Sequence, residues 1–304
     1  MSDCGCGGRN RAAEFNAKAA YQRLSQKYDQ LAALMTRYMS EAGLERPERA
    51  TRAMTMAREL ERIVGGVRTS EFPECCLIGR KNPNGTLGWF CTGVLVHPKI
   101  VLTAGHCFIS NMKANIVALK ADDENRLQQA ELISIRRMTQ HPRYRQTHQI
   151  SDMSVIILRT ASTVAPVAIA STPEMSAATE TTLVGFGNDD VNSTRGFGLK
   201  RQVTVPITQI RRSPADNLDS AEQTLGFESD LEFVAGGNGF DSCNGDSGGP
   251  AYVTIGGVRK VAGLTSRATD TAGHPCGDGG IYTRVDKHVD FIRQMAQDAG
   301  ITGF

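Results

Sequence analysis

The segment Asp241–Pro250 reads DSCNGDSGGP and sets one serine, Ser247, among glycines. A serine hydroxyl attacks poorly until a base removes its proton. Acyl transfer also needs backbone N–H groups aimed at the oxyanion that develops. Gly245 and Gly248 let the chain turn tightly enough to present both the hydroxyl and those N–H groups. The base is His106, in Val101–Cys107 (VLTAGHC), directly after a β-type run and between small residues and a cysteine. His97 and His141 each precede a proline and read as turn residues, and His148, His274 and His288 have no comparable setting. The acid is Asp152. It enters the apolar run Met153–Leu158 (MSVIIL) and should be buried, where a carboxylate must be paired or strongly hydrogen-bonded; orienting a histidine is a reason to keep one there. Asp122, Asp123, Asp189 and Asp190 sit in polar stretches and read as solvated.

Two kinds of chain surround these residues. From Arg11 to Ala42 there is neither Gly nor Pro, and good helix formers dominate. Tyr21, Leu24, Tyr28, Leu31, Met35 and Tyr38 recur at steps of three and four, one face of a helix. Gly43 marks a stop, and Pro47 opens a second helix that carries Ala50, Ala53, Met54, Ala57 and Leu60 inward. Residues 1–62 are therefore expected to hold a helical hairpin. After Ile63, short β-rich runs (Thr92–Val96, Ile116–Leu119, Val155–Leu158, Val261–Leu264) alternate with Gly, Pro, Asn and Asp clusters, the pattern of an all-β sandwich or barrel. Val289, Ile292, Met295 and Ala296 share a face, which predicts a terminal helix over Asp286–Asp298.

The 304 residues suit one or two domains, and a net charge of +2 gives no electrostatic reason to expect nucleic acid as a partner. No apolar run is long enough to cross a bilayer, so no membrane partner is expected. Met1–Asn10 is polar and glycine-rich, without the pattern of a secretory signal. Eight cysteines are more than a reduced compartment calls for. The expectation is a cytoplasmic precursor, with export by a signal-less route as the alternative.

The order His, Asp, Ser within these local motifs resembles the chymotrypsin/trypsin family of serine peptidases, over Ile63 to about Ala299. The resemblance implies a mainly β fold of two six-stranded antiparallel barrels with a C-terminal helix, and a triad of His106, Asp152 and Ser247 in the cleft between the barrels. It implies an oxyanion hole from the N–H groups of Gly245 and Ser247, and no cofactor or metal. Asp241, six residues before the nucleophile, corresponds to the floor of the primary specificity pocket, and Gly280 to a small residue that keeps the pocket open. A carboxylate there favours substrates with Arg or Lys before the cut. Where the family usually reads Ser-Trp-Gly, this chain has Ser266, Arg267 and Ala268. Ala268 would narrow the entrance, and Arg267 would set a cation beside the substrate, favouring acidic residues two to four positions before the cut.

Arg62-Ile63-Val64-Gly65-Gly66 resembles the family's activation junction. By that resemblance, a cut between Arg62 and Ile63 frees an ammonium that pairs with Asp246 and orders the oxyanion hole, making residues 1–62 a propeptide and 63–304 the peptidase domain. The predicted second helix runs almost to Arg62, so an activating protein contacting residues 1–62 is an expected partner. Disulfides Cys91–Cys107 and Cys243–Cys276 are implied in the same way. For Cys4, Cys6, Cys75 and Cys76 free thiols are expected, with a tether between the two pairs or a four-thiolate zinc site as alternatives. The expected function is a regulated processing protease. An exported, broadly degradative protease and a helical adaptor carrying a regulated peptidase domain are the rival expectations.

Overall fold

Runs rich in Val, Ile, Leu and Thr, cut every few residues by turn formers, satisfy their backbone groups by pairing with one another. The computed structural model, which describes residues 66–108, 113–146, 149–190 and 192–304, contains two closed barrels built this way. After the short β1 (Val67–Arg68), the first barrel takes β2 (Cys75–Lys81), β3 (Leu87–His97), β4 (Ile100–Thr103), β5 (Ile116–Leu119), β6 (Glu131–Gln140) and β7 (Ser154–Leu158). They close in the order β2-β3-β4-β7-β6-β5, each pair antiparallel.

The second barrel uses β9 (Glu180–Gly185), β10 (Arg201–Gln209), β11 (Glu232–Ala235), β12 (Pro250–Ile255), β13 (Val258–Ala268) and β14 (Gly280–Arg284). Their order β10-β11-β14-β13-β12-β9 is closed by the pairing of β9 with β10. Strand β1 adds to β10, and the two-residue β8 (Ala168–Ile169) runs parallel to β13. The chain is thus mainly β with two six-stranded antiparallel barrels, as expected. The helical hairpin expected within residues 1–62 lies outside the described residues.

Alternation across the pleat explains why these strands read as nearly unbroken apolar runs. In β2, Cys76 and Ile78 face the interior of the first barrel with Leu95, Val101, Ile156 and Leu158. Their neighbours Cys75 and Leu77 face the other way, into a seam shared with Val184, Tyr252 and Leu264 of the second barrel and with Ile292 and Ala296. Each Val, Leu or Ile there contributes about 1.5–3 kcal/mol when fully buried, so the seam fixes how the two barrels meet.

Three helices complete the described fold. Helix α1 (Thr172–Ala177) begins at a Ser171–Glu174 capping box, with the Ser171 amide donating to Glu174 Oε2 at 2.8 Å. Helix α2 (Asp219–Leu225) ends at Gly226, which takes a left-handed conformation. Helix α3 spans Val289–Asp298 and begins later than the expected Asp286. The Asp286 carboxylate is bound by Arg284 at 2.7 Å and by the Thr172 hydroxyl at 2.8 Å, which holds Val285–Lys287 as a separate 3-10 turn.

Cysteines 91 and 107 are bonded, as are 243 and 276. Cys75 and Cys76 are free and buried, and because they point to opposite faces of β2 they do not converge on one metal ion. Cys4 and Cys6 lie outside the described residues. Burial pushes both buried thiols well above the usual range. Neither Cys75 nor Cys76 should therefore react with iodoacetamide in the native chain at neutral pH, and both should react after denaturation. Mass spectrometry of the peptide carrying them reads this directly; rapid native alkylation would contradict the packing described.

Candidate active site

The 3-10 turn Gly105–Cys107 follows β4 and carries His106 to the edge of the first barrel. Asp152, completely buried, reaches it from the loop before β7. Its Oδ2 lies 2.8 Å from His106 Nδ1, and its Oδ1 accepts the backbone N–H of His106 at 2.8 Å. A third donor, the Ser266 hydroxyl, reaches Oδ2 at 2.6 Å. Three donors on one desolvated carboxylate fix its orientation. They also leave Nε2 of His106 as the ring nitrogen open to accept a proton.

The turn bearing Ser247 is pinned against the histidine's own segment. The Thr92 amide donates to the Ser247 carbonyl at 3.0 Å, and the Gly248 amide to the Thr265 carbonyl at 2.8 Å. Gly248 has a positive φ, and a methyl there would collide with Thr103 Oγ1 and the Ala104 amide. Only glycine lets the nucleophile loop come this close to the strand that delivers His106. Among the described residues, the N–H groups of Gly245 and Ser247 make no hydrogen bond, and none joins the Ser247 hydroxyl to His106. Catalytic contacts of this kind commonly tighten only when substrate is bound.

Asp241 lies under this turn and is 3 % exposed. Its Oδ1 accepts from the Ser242 amide at 2.7 Å and the Tyr282 hydroxyl at 2.9 Å, and its Oδ2 accepts from the Gly279 amide at 3.1 Å. A Cβ on Gly280 would press on that carboxylate and on Tyr282, and Gly280 pairs with Ala268 across β13 and β14. Burial raises the Asp241 carboxyl to about 6 in spite of its hydrogen bonds. Asp246 is also raised to about 6 by burial, and it accepts from the amides of Gly187 (2.7 Å) and Cys243 (2.8 Å). Among the described residues, no basic side chain forms an ion pair with Asp246. Arg62 and Ile63 lie outside them.

Two expectations, on Arg267 and on Asp189, need correction. Arg267 offers no free cation to a substrate: both guanidinium nitrogens bind Glu232, at 2.6 and 2.9 Å, and one also donates to the Gly226 carbonyl. Glu232 is fully buried, so its charge requires that partner. The Ser266 hydroxyl is engaged by Asp152, a contact that leaves its expected place beside the substrate untouched. Asp189 is buried rather than solvated, because Arg201, itself buried, binds it at 2.9 Å while donating to the carbonyls of Gly187, Gly196 and Leu199. The sequence signal that singled out Asp152, an acid opening an apolar run, is repeated at Glu232 before Phe233-Val234-Ala235. Nothing comparable marks Asp189.

Residues 63–292 match the family model described as Trypsin. The chain belongs to the trypsin family. It is 27 % identical to a trypsin of Saccharopolyspora erythraea over 77 % of this chain and 97 % of that one. It is also 27 % identical to CLIP domain-containing serine protease B4 of Anopheles gambiae, over 77 % and 70 %. With vitamin K-dependent protein C of Oryctolagus cuniculus the identity is 30 %, over 68 % of this chain and 47 % of that protein. This trypsin-family chain is a serine endopeptidase, and its substrates are proteins. No helix among the described residues is long and apolar enough to cross a membrane.

Two outcomes follow from this geometry. Ser266→Ala removes one of three donors to Asp152 and should lower kcat about ten- to a hundredfold with little change in KM, since a hydrogen bond to a charged group contributes about 1.5–3 kcal/mol. Wild-type turnover in steady-state kinetics would show that the contact is dispensable. The second concerns pH. A carboxyl raised in the folded state from 3.8 to about 6 binds protons that the unfolded chain releases. Its burial thus destabilises the fold above pH 6, by roughly 3 kcal/mol. This penalty shrinks as pH falls from about 6 to 4. Asp246→Asn should therefore raise the urea midpoint of the uncut chain at pH 7.5 and leave it nearly unchanged at pH 4.5. An equal effect at both pH values would contradict the raised carboxyl.

Proposed function

We propose that the chain is a regulated processing protease that cleaves proteins after Arg or Lys and is made as a zymogen activated between Arg62 and Ile63. In this reading Ser247 is the nucleophile, with His106 as its base through Nε2 and Asp152 holding the ring through Nδ1. His106 takes the Ser247 proton as Oγ bonds to the scissile carbonyl carbon. It returns that proton to the leaving amine, and water then hydrolyses the acyl-enzyme by the same steps. The amides of Gly245 and Ser247, unengaged among the described residues, stabilise the oxyanion.

The observation that carries the Arg/Lys preference is the buried Asp241 carboxylate beside Gly280. A carboxyl raised to about 6 lacks a compensating cation. A guanidinium or ammonium from the substrate provides one, whereas a neutral side chain leaves the charge desolvated and unpaired. Asp246 is in the same condition, which supports reading the ammonium of a freed Ile63 as its partner.

A fluorophosphonate should label Ser247 alone. Ser247→Ala and His106→Ala should each lose about a millionfold in kcat, to below detection; near-normal turnover in either would sink the triad assignment. Asp241→Ser should abolish cleavage after Arg and Lys without lowering thermal stability at neutral pH, since it removes a carboxyl whose burial is costly there. For the switch, residues 59–62 are replaced by the recognition site of an unrelated protease. Activity should then appear only after that protease acts, and full activity in the uncut chain would refute the zymogen.

A further inference from the structure

The clefts, buried ionisable groups, charged faces and free thiols of the described residues yield one feature with a substrate chemistry of its own. Beside the triad, on the face where the chain preceding the scissile bond is expected, lies a hollow of about 410 Å³. Gln149 and Ile150, just before Asp152, form one wall, and Phe227, Glu228 and Asp270 form the other, with Arg267 between. Family resemblance alone suggested a cationic surface here. The charges actually present have the opposite sign.

Three observations set that sign. Arg267 is neutralised by its two bonds to the fully buried Glu232. Glu228 and Asp270 have no ion-pair partner among the described residues, and Asp270 is exposed. Arg145, on the loop leading to Gln149, turns its guanidinium back onto the Pro142 and Tyr144 carbonyls. The hollow therefore presents two unpaired carboxylates, two amides from Gln146 and Gln149, and a modest apolar wall.

The geometry points to a second acidic subsite: the peptidase prefers a basic side chain, Lys or Arg, two to four residues before the cut, held by Glu228 and Asp270. This rests on the serine-endopeptidase reading of the adjoining triad. It makes the substrate class a protein segment with clustered basic residues instead of a lone Arg or Lys. A long basic side chain suits the site because its aliphatic stem lies along Ile150 and Phe227 while its charge reaches the carboxylates. An acidic side chain would meet like charge there, because Arg267, the cation lining the hollow, is already paired with Glu232.

The test uses the full chain, cut at Arg62–Ile63 where the uncut form is silent, on a peptide library randomised on both sides of the scissile bond. The residue directly before the cut reports Asp241, and the residues two to four before it report this hollow, so either reading can fail alone. Matched peptides that keep whichever residue the enzyme cuts after, with Lys, Ala or Glu in the flank, then give kcat/KM. Exposed charge pairs are individually weak, so Lys should exceed Glu by about tenfold at low salt, and the ratio should shrink towards one at high salt. Glu228→Gln combined with Asp270→Asn should flatten the series, whereas the remote, exposed control Asp290→Asn should leave it intact. A flank preference for Glu, no preference, or a Lys preference that survives the double variant or high salt would each overturn the inference.

Discussion

A buried carboxylate must be bonded on every side that water would have occupied, and in this chain that requirement builds the active site. Asp246 binds the Gly187 amide and its own turn at Cys243, tying the nucleophile loop to the end of β9. On the other side of Gly187, its carbonyl accepts from Arg201, whose guanidinium also gathers Gly196, Leu199 and Asp189. The Phe197 ring in that loop lies against Gly245, one of the two expected oxyanion donors. The oxyanion turn is thus held from beneath by a buried cation and from within by a buried anion. The barrels add to this order where Thr92 of β3 bonds the Gly245 and Ser247 carbonyls and Thr265 of β13 accepts the Gly248 amide, and they bring the ends of β9, β10 and β12 together.

The same physics governs the cleft between the barrels. Asp152, Asp241 and Glu232 are all removed from water, yet they are satisfied differently. Asp152 has His106 and Ser266 as donors, and Glu232 has a cation. Asp241 has only neutral donors and rises to about 6. Asp152 and Glu232 thus hold structure, the Glu232 carboxyl still raised by its burial against the pull of Arg267, and in the proposed reading Asp241 takes its partner charge from the substrate. Arg267 belongs with the first two. A guanidinium next to a fully buried carboxylate stays there, because leaving would strand Glu232 at a penalty of several kcal/mol.

Legibility of the sequence followed the range of the interaction. Strand β5 was readable to the residue, and β7 to within one, because pleat period and turn formers are local signals. Asp152 was found because an acid opening an apolar run has few solvated places to go. Glu232 carries the same signal before Phe233, but its partner Arg267 lies 35 residues on, and no local pattern joins them. The start of α3 moved for a similar reason: Asp286 is claimed by Arg284 and by Thr172 from a distant segment. Cys75 and Cys76 look like a pair in sequence, yet strand geometry sends them to separate cores. Where a residue's role depended on a partner far along the chain, its type was legible and its function was not.

The condition of Asp246 also bears on how much ordering energy a single new amine could supply in the proposed switch. Holding that carboxylate ionised at neutral pH, with a carboxyl raised to about 6, corresponds to roughly 3 kcal/mol of strain against the folded loop. A cation that pairs with it offsets this penalty at the cost of its own desolvation, so in the proposed switch the gain on cutting is what the pair's attraction leaves after that cost. An equilibrium shift of 3 kcal/mol is more than a hundredfold, enough to turn a sparsely populated oxyanion turn into the dominant one. Arg201 sets the size of that lever. Its charge already lowers the Asp246 carboxyl somewhat, and its bonds to Gly187 and Gly196 order the neighbouring loop independently of any cut. A chain with this internal cation needs less from its new amine than one without it.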